Sequence, residues 1–151
     1  MVSQAGGVLL VRTVRAAGLD VALSQALAPW RKPTAVHDPG KVLLDLAAAL
    51  ALGGDCLADI AVVRSEPAVF GLVASDPTVS RTIDALAAAG SVTLRAINQA
   101  RAVARERVWQ LAGSHGPSAG VDANAPLVID VDATLVTAHS DKEGAAPTFN
   151  C

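Results

Sequence analysis

The sequence is poor in aromatic residues and in cysteine. It contains two Trp, two Phe and no Tyr in 151 residues, so aliphatic side chains must form most of any core. Cys56 and Cys151 are its two cysteines. They are too few for a disulfide framework, and no Cys/His cluster has the spacing of a zinc site. These shortages argue against a secreted disulfide-rich domain and favour a protein of the reducing cytoplasm.

The sequence also lacks an apolar run long enough to cross a membrane. Its most apolar stretch, residues 42–52, is interrupted by Asp45 and would extend roughly 16 Å as a helix, about half of the ~30 Å hydrocarbon core of a bilayer. Residues 1–7 lack the basic start and apolar stretch of a signal peptide. We therefore expect no membrane among the partners of this chain.

The composition favours helices. Hydrophobic residues make up 52% of the sequence against 17% charged, and the abundant alanine loses no side-chain entropy in a helix. Helix ends are marked by caps, prolines and glycines, as at Asp38-Pro39, Asp55 and Gly90. We predict a mainly α protein with helices over residues 4–17, 19–27, 39–52, 56–64, 75–89 and 92–112.

The helix at 75–89 is the candidate for reading DNA. Its apolar residues recur at intervals of four and three and are expected to face inward: Val79, Ile83 and Leu86. Three polar residues share the outer face: Thr78, Arg81 and Thr82. A short helix and a turn precede this helix, which gives the region helix-turn-helix character. Small helical bundles also produce such patterns, so a purely structural role is the alternative.

The long helix at 92–112 adds basic residues to the candidate DNA surface. Arg101 and Arg105 lie one turn apart, while Leu94, Ile97, Ala104, Val108 and Leu111 are predicted to form its apolar side. Residues 81–113 carry a net charge of +3, and residues 114–151 a net charge of −4. A basic helical face beside an acidic pocket suits an enzyme that handles DNA. The alternative is a solvated helix next to an acidic loop.

A strand that carries two aspartates follows a linker. Residues 114–125 are rich in glycine, serine and proline, and they separate a helical region, 1–113, from a last segment, 126–151. The apolar run that begins at Leu127 predicts a strand continuing into a hairpin. Asp130 and Asp132 lie on one face of that strand, where carboxylates could hold Mg²⁺. An acidic hairpin edge without a metal is the structural alternative.

The Asp-Val-Asp-Ala-Thr segment at 130–134 also fits a phosphatase. Haloacid-dehalogenase-like phosphatases open with a strand that ends in Asp-x-Asp-x-Thr. In that interpretation Asp130 is the nucleophile, Asp132 the general acid and base, and Thr134 a phosphate contact. The placement argues against it, because that motif ordinarily begins its domain and here it follows a long helical region.

Over nearly its whole length the sequence resembles insertion-sequence transposases with an Asp-Asp-Glu catalytic triad, and it is most similar to the insertion sequence 1380 family. The resemblance covers these segments: residues 5–7, 28–33, 37–41, 53–59, 75–81, 129–134 and 142–144.

This resemblance implies a helical N-terminal DNA-binding region and the first β-hairpin of a ribonuclease H-like α/β catalytic domain. Asp132 would be the first triad carboxylate and a Mg²⁺ ligand, with Thr134 beside it and Asp130 as the less favoured ligand. The implied partner is DNA at the transposon terminal inverted repeats, and a homodimer is compatible with the resemblance.

The resemblance also implies that the second Asp and the Glu of the triad lie beyond position 151. We therefore expect a truncated, catalytically inactive N-terminal fragment of a transposase. An alternative is a DNA-binding regulator that occupies transposon ends and competes with the intact enzyme.

We predict that this polypeptide does not nick transposon-end DNA in the presence of Mg²⁺ or Mn²⁺. The physical reason is that a two-metal site needs several carboxylates around ions about 4 Å apart. Relaxation of a supercoiled plasmid that carries the ends measures nicking. Nicking by the chain that disappears in Asp132→Asn would contradict the prediction.

Overall fold

The structure, a computed structural model, describes residues 5–131. The described residues form seven α-helices: α1 Ala5–Ala17, α2 Leu19–Leu27, α3 Pro39–Ala51, α4 Ile60–Arg64, α5 Pro67–Phe70, α6 Asp76–Ala88 and α7 Ser91–Ala112. Short 3₁₀ turns occur at Ala28–Trp30, Leu57–Asp59 and Gly113–His115. The chain divides into two units, Met1–Ala119 and Gly120–Cys151. The described part is therefore mainly helical, and no helix in it is both long and apolar enough to span a bilayer.

Most predicted helix bounds agree with the structure to within one or two residues, with two differences. The helix predicted over 56–64 is a 3₁₀ turn followed by the short helix α4. Between residues 64 and 75, where no helix was predicted, the structure contains the short helix α5. Pro67 occupies its first turn, where the missing amide hydrogen costs nothing.

Helix α3 begins on a capped turn that lies directly against α2. Asp38 accepts a hydrogen bond from the Lys41 amide (2.9 Å) through one carboxylate oxygen and from the Ser24 hydroxyl of α2 (3.0 Å) through the other. Gly40 is buried, and a Cβ atom there would lie 2.5 Å from the Ser24 amide nitrogen. Only glycine therefore allows the two helices to approach so closely.

We call the first unit, Met1–Ala119, the helical unit. Its core is aliphatic, as the scarcity of aromatic residues predicts. Helices α2, α3, α4 and α6 supply its largest fully buried side chains: Leu27, Val42, Ile60, Val63 and Val79. Phe70 at the end of α5 is buried with this cluster and approaches Gly7 of α1, where a Cβ would lie 2.8 Å from its ring. The small residue on α1 makes room for the aromatic ring.

The buried face of α7 agrees only in part with the predicted one. Ala104 is buried as predicted, and Thr93 and Ala100 are buried as well. Leu94 and Leu111 of the predicted apolar side are instead 62% and 66% exposed. Helix α7 packs along α2, and small side chains allow this close packing. On α6, Val79 and Leu86 are buried as predicted, but Ile83 is exposed.

A hydrogen bond from α7 to α1 joins two distant parts of the helical unit. The Arg107 side chain on α7 donates from Nε to the Ala16 carbonyl in the last turn of α1, at 2.8 Å. Gly18, which lies between α1 and α2, has a φ of +70°. A Cβ atom added there would lie 3.5 Å from the Arg107 side chain. Arg107 therefore contributes to the tertiary structure.

Residues 126–131 have no regular secondary structure, and all of them are exposed. Just before them, Asp122 accepts hydrogen bonds from the amides of Asn124 (2.7 Å) and Ala125 (2.9 Å), which forms a local turn. The predicted strand and hairpin continue into residues outside the described range, as do Asp132 and Thr134. They stay predictions.

Replacing Gly40 with alanine should destabilise the helical unit. The added methyl group must push α3 away from the α2 backbone, and overpacking of this kind costs about 1–3 kcal/mol. Urea unfolding followed by circular dichroism measures the change. Gly6→Ala is the matched control, because a Cβ on Gly6 meets nothing within 4 Å. Equal stability of the two variants would contradict the assigned close approach.

The buried carboxylate of Asp45 on α3 should make stability depend on pH. The pKa of Asp45 is raised, because burial disfavours the charged carboxylate. The ion pair with Lys41, at 2.6 Å, and the charge of His37 both lower the pKa, but their effect is smaller than that of burial. A folded-state pKa above the unfolded value means that stability falls as pH rises from the ordinary carboxyl range through the raised pKa.

Asp45→Asn should therefore become more stable relative to the wild type as pH increases from 4 to 7. Urea unfolding at several pH values measures this difference in the free energy of unfolding. Asp84→Asn, at an exposed position on α6, should show no such trend. A difference between Asp45→Asn and the wild type that stays constant with pH would refute the expectation.

Candidate nucleic-acid interface

A groove of about 470 Å³ runs between α6 and the segment that joins α2 to α3. Two parts of the chain far apart in sequence supply its walls: Trp30, Arg31, Lys32, Ala35, Val36, His37 and Pro39 on one side, and Thr78, Arg81, Thr82, Ala85 and Leu86 on the other. We call it the basic groove. All three residues predicted to share the outer face of α6 line it.

The charge of the basic groove is positive. Arg31, Lys32 and Arg81 are exposed cations, and no carboxylate is among the described residues that line it. Asp38 forms an ion pair with the Arg31 guanidinium at 3.8 Å, which offsets part of the charge of Arg31, whereas Lys32 and Arg81 form no ion pair with the described residues. Cations that face a concave surface from two sides attract and orient anions.

Hydrogen bonds fix the α6 wall of the groove. Arg81 donates from Nη2 to the Thr78 hydroxyl at 3.0 Å, and that hydroxyl also shares a hydrogen bond with Ser75 at 3.1 Å. The Thr82 hydroxyl donates to the Thr78 carbonyl at 2.8 Å. At the start of α6, Asp76 forms an ion pair with Arg64 of α4. The guanidinium of Arg81 is thus held near the first turn of a helix that is itself attached to the core.

The opposite wall is also anchored at both ends. The 3₁₀ turn Ala28–Trp30 follows α2 directly, and the Arg31 amide donates to the Ala28 carbonyl at 3.0 Å. A second turn closes where the Ala35 amide donates to the Lys32 carbonyl at 2.9 Å. Beyond it, Asp38 fixes the start of α3. The cations of this wall therefore sit on an ordered turn.

Sequence reasoning did not place this second wall at the site. Two prolines within residues 29–33 are typical of a break between helices, and cations such as Arg31 and Lys32 usually only solvate a surface. The available signal was an aromatic residue and two cations between Pro29 and Pro33. Only the packing of α3 against α2 shows that this segment faces α6.

The two other predicted DNA contacts do not line the basic groove. Arg101 and Arg105 are exposed on α7. Arg101 donates a weak hydrogen bond to the Asn98 side chain at 3.3 Å, and the Arg105 guanidinium lies 5.9 Å from the centre of the Trp109 ring. The five predicted contacts therefore divide into three on the groove and two on a separate helix.

The predicted metal ligands are only partly described. Asp130 is exposed in a segment without regular structure, and Asp132 lies outside the described residues. Carboxylate oxygens are suitable ligands for Mg²⁺, but in the described part of the chain Asp130 belongs to no cluster of three potential ligands.

A cluster of potential ligands occurs elsewhere and has a structural explanation. Side-chain atoms of Asp55, Cys56 and Asp59 lie within 4.8 Å of one another. Asp59 accepts hydrogen bonds from the amides of Asp55 (2.9 Å) and Cys56 (3.0 Å) and from the Cys56 thiol (3.2 Å), which lowers the pKa of its carboxyl. Asp59 is thus the capping acid of this turn. The expectation that Asp55 caps it was wrong, because Cys56 is the N-cap residue and the acid three residues after it, Asp59, reaches back to the exposed amides.

Comparison with known proteins identifies the family. A family model described as Transposase DDE domain group 1 matches residues 1–150. Neither the curated proteins nor the solved structures contain a match to the chain. Because the family model extends over almost all of the sequence, the chain belongs to the DDE transposases of group 1.

Proposed function

We propose that the helical unit binds transposon-end DNA through the basic groove, as part of a transposase of the insertion sequence 1380 family. The observation that carries the proposal is the groove itself, where Arg31, Lys32 and Arg81 converge from two segments without a carboxylate among the described lining residues. Phosphate contacts by such cations supply most of the affinity of proteins for DNA. Family membership makes DNA the appropriate anion.

The geometry of α6 suits a helix that approaches DNA by its first turns. In helix-turn-helix proteins the N-terminal residues of the second helix contact base edges in the major groove. Thr78, Arg81 and Thr82 occupy the corresponding first turns of α6. Arg81 can donate two parallel hydrogen bonds to guanine, while Arg31 and Lys32 on the opposite wall contact the phosphates. Arg101 and Arg105 on α7 would add contacts to a more distant part of the DNA.

In the catalytic part, we propose that Asp132 holds Mg²⁺, with Asp130 as the alternative ligand. When bound in such a site, Mg²⁺ stabilises the charge that develops on the oxygens of a phosphodiester during displacement. Asp132 follows an apolar run that begins at Leu127, so a strand there would deliver its carboxylate to the metal. The family match supports this assignment over the phosphatase interpretation of the same segment.

A second candidate function is the regulation of transposition by DNA binding alone. The basic groove is formed wholly by residues 30–86, which lie within the unit Met1–Ala119. Occupation of transposon ends by this unit therefore needs no residue of the catalytic part, and it would compete with an active transposase for the same DNA.

Replacing Arg81 with alanine should weaken binding to inverted-repeat DNA by about 1–3 kcal/mol, the usual effect of losing a base or phosphate contact made by arginine. Gel-shift titration at low salt measures the affinity, because phosphate contacts are strongest there. Repetition at several salt concentrations shows whether the salt dependence decreases with the lost contact.

Arg95→Ala is the matched control for this experiment. Arg95 is exposed on α7, outside the basic groove, and makes only a 3.3 Å hydrogen bond to Ser91. Arg107 is unsuitable as a control because its side chain holds α1. Equal losses in Arg81→Ala and Arg95→Ala would show that the groove is not the binding surface, and absence of any binding at low salt would end the proposal.

A further inference from the structure

We infer that the basic groove receives an unpaired nucleotide, with its base stacked on the indole of Trp30 and its flanking phosphates held by Arg31 and Lys32. This inference rests on the proposed DNA binding and specifies which form of DNA the groove recognises. It is supported by three features of the groove: its apolar lining, the fixed position of the indole, and its size.

The lining of the basic groove is more apolar than contact with duplex DNA requires. Alongside the cations lie the side chains of Trp30, Val36, Pro39, Ala85 and Leu86. The outside of a duplex presents phosphates, sugars and base edges, whereas the flat faces of its bases are hidden in the stack. An apolar surface with an aromatic ring, bordered by cations, instead complements a base whose face is free.

Val36 lies on the solvent-exposed side of this apolar surface. Its side chain is 74% exposed although it lines the groove, and the described residues leave this large apolar group uncovered. Leu86, at the opposite wall, is buried. An entering base would cover Val36 and rest above Leu86, so it would remove apolar surface from water at the same time as it stacks.

The backbone that carries the indole of Trp30 is ordered before any ligand arrives. Trp30 ends the 3₁₀ turn Ala28–Trp30, in which Pro29 fixes one backbone angle, and this turn packs against both α2 and α3. The side chain is partly buried and also lines the groove. A ring held in place loses little conformational entropy when a base stacks on it, which favours binding.

The size of the basic groove fits one nucleotide. Its volume of about 470 Å³ falls within the roughly 300–1,000 Å³ of sites that hold small molecules. Hydroxyl groups of Thr78 and Thr82 and the ring of His37 stand at its walls, where they can form hydrogen bonds with the edge of a base. A duplex can contact the rim of the groove but cannot enter it.

The test uses the fluorescence of Trp30 in the full chain. Trp109→Phe leaves Trp30 as the single tryptophan, so no change is made at the site. We expect quenching by a duplex with a single-nucleotide bulge or a short single-stranded overhang, and little quenching by the fully paired duplex. The bulge presents a base extruded from within the duplex, and the overhang presents an unpaired base at a DNA end, so comparing the two shows which source the groove prefers. An abasic overhang keeps the phosphates and should not quench. Trp30→Phe, which keeps only Trp109, is the matched control. Because Trp109 lies beside Arg105, its response reports contacts on α7 and should be the same for paired and unpaired DNA.

Affinity measurements test the energetic part of the inference. Trp30→Leu should weaken binding to the bulged or overhanging DNA by about ten-fold, as expected for a lost base–aromatic contact, and leave the paired duplex unaffected. Trp30→Phe should retain most of the affinity, because phenylalanine also stacks. Circular dichroism establishes that each variant has the helix content of the parent chain.

The outcomes separate this inference from the proposed function. If paired and unpaired DNA bind equally well, Trp30 is not quenched, and Arg81→Ala still weakens binding, the nucleotide site is refuted while DNA binding by the groove stands. If the chain binds none of these DNA molecules at low salt, both are refuted. Selective quenching by the unpaired forms, with loss of that preference in Trp30→Leu, supports the nucleotide site.

Discussion

The contact between the first turn of α3 and the backbone of α2 determines the shape of the candidate site. Gly40 lets the two helices meet without a side chain between them, and Asp38 caps α3 with one oxygen while it accepts the Ser24 hydroxyl with the other. Together these interactions fix the position of Asp38, the last residue of the segment that joins α2 to α3. One wall of the basic groove consists of that segment, so a displacement of α3 would open the groove even if every cation were present.

The position of charge in space differs from its distribution along the chain. Counting residues assigns a net charge of +3 to 81–113, but only Arg81 of that range lines the basic groove, and the other cations come from positions 31 and 32. On α3, packing changes the behaviour of a single charged residue. Asp45 is buried with Lys41 beside it, and burial raises the pKa of its carboxyl despite the ion pair. Tertiary packing therefore determines the electrostatic effect of each charged residue.

Local signals predicted the helices well because caps, prolines and glycines act within one turn. Asp38 and Gly90 mark helix ends that the structure contains. The buried face of α7 was predicted less well, since small residues such as Ala100 pack against α2 and leave larger apolar residues outside. Sequence periodicity placed Thr78, Arg81 and Thr82 on one face of α6, and all three line the basic groove. Trp30 could not be assigned to it, because that requires knowing how α3 lies on α2. The DNA contacts and the catalytic aspartates stay predictions.

The bond between Arg107 and the Ala16 carbonyl has a consequence for synthesis on the ribosome. Its two partners are 91 positions apart, and α2 relies on the same distant helix for much of its packing. The side of α2 that packs against α7 therefore stays uncovered until α7 has been translated. Such delayed, non-local closure lengthens the period in which a nascent chain is vulnerable to aggregation and dependent on chaperones.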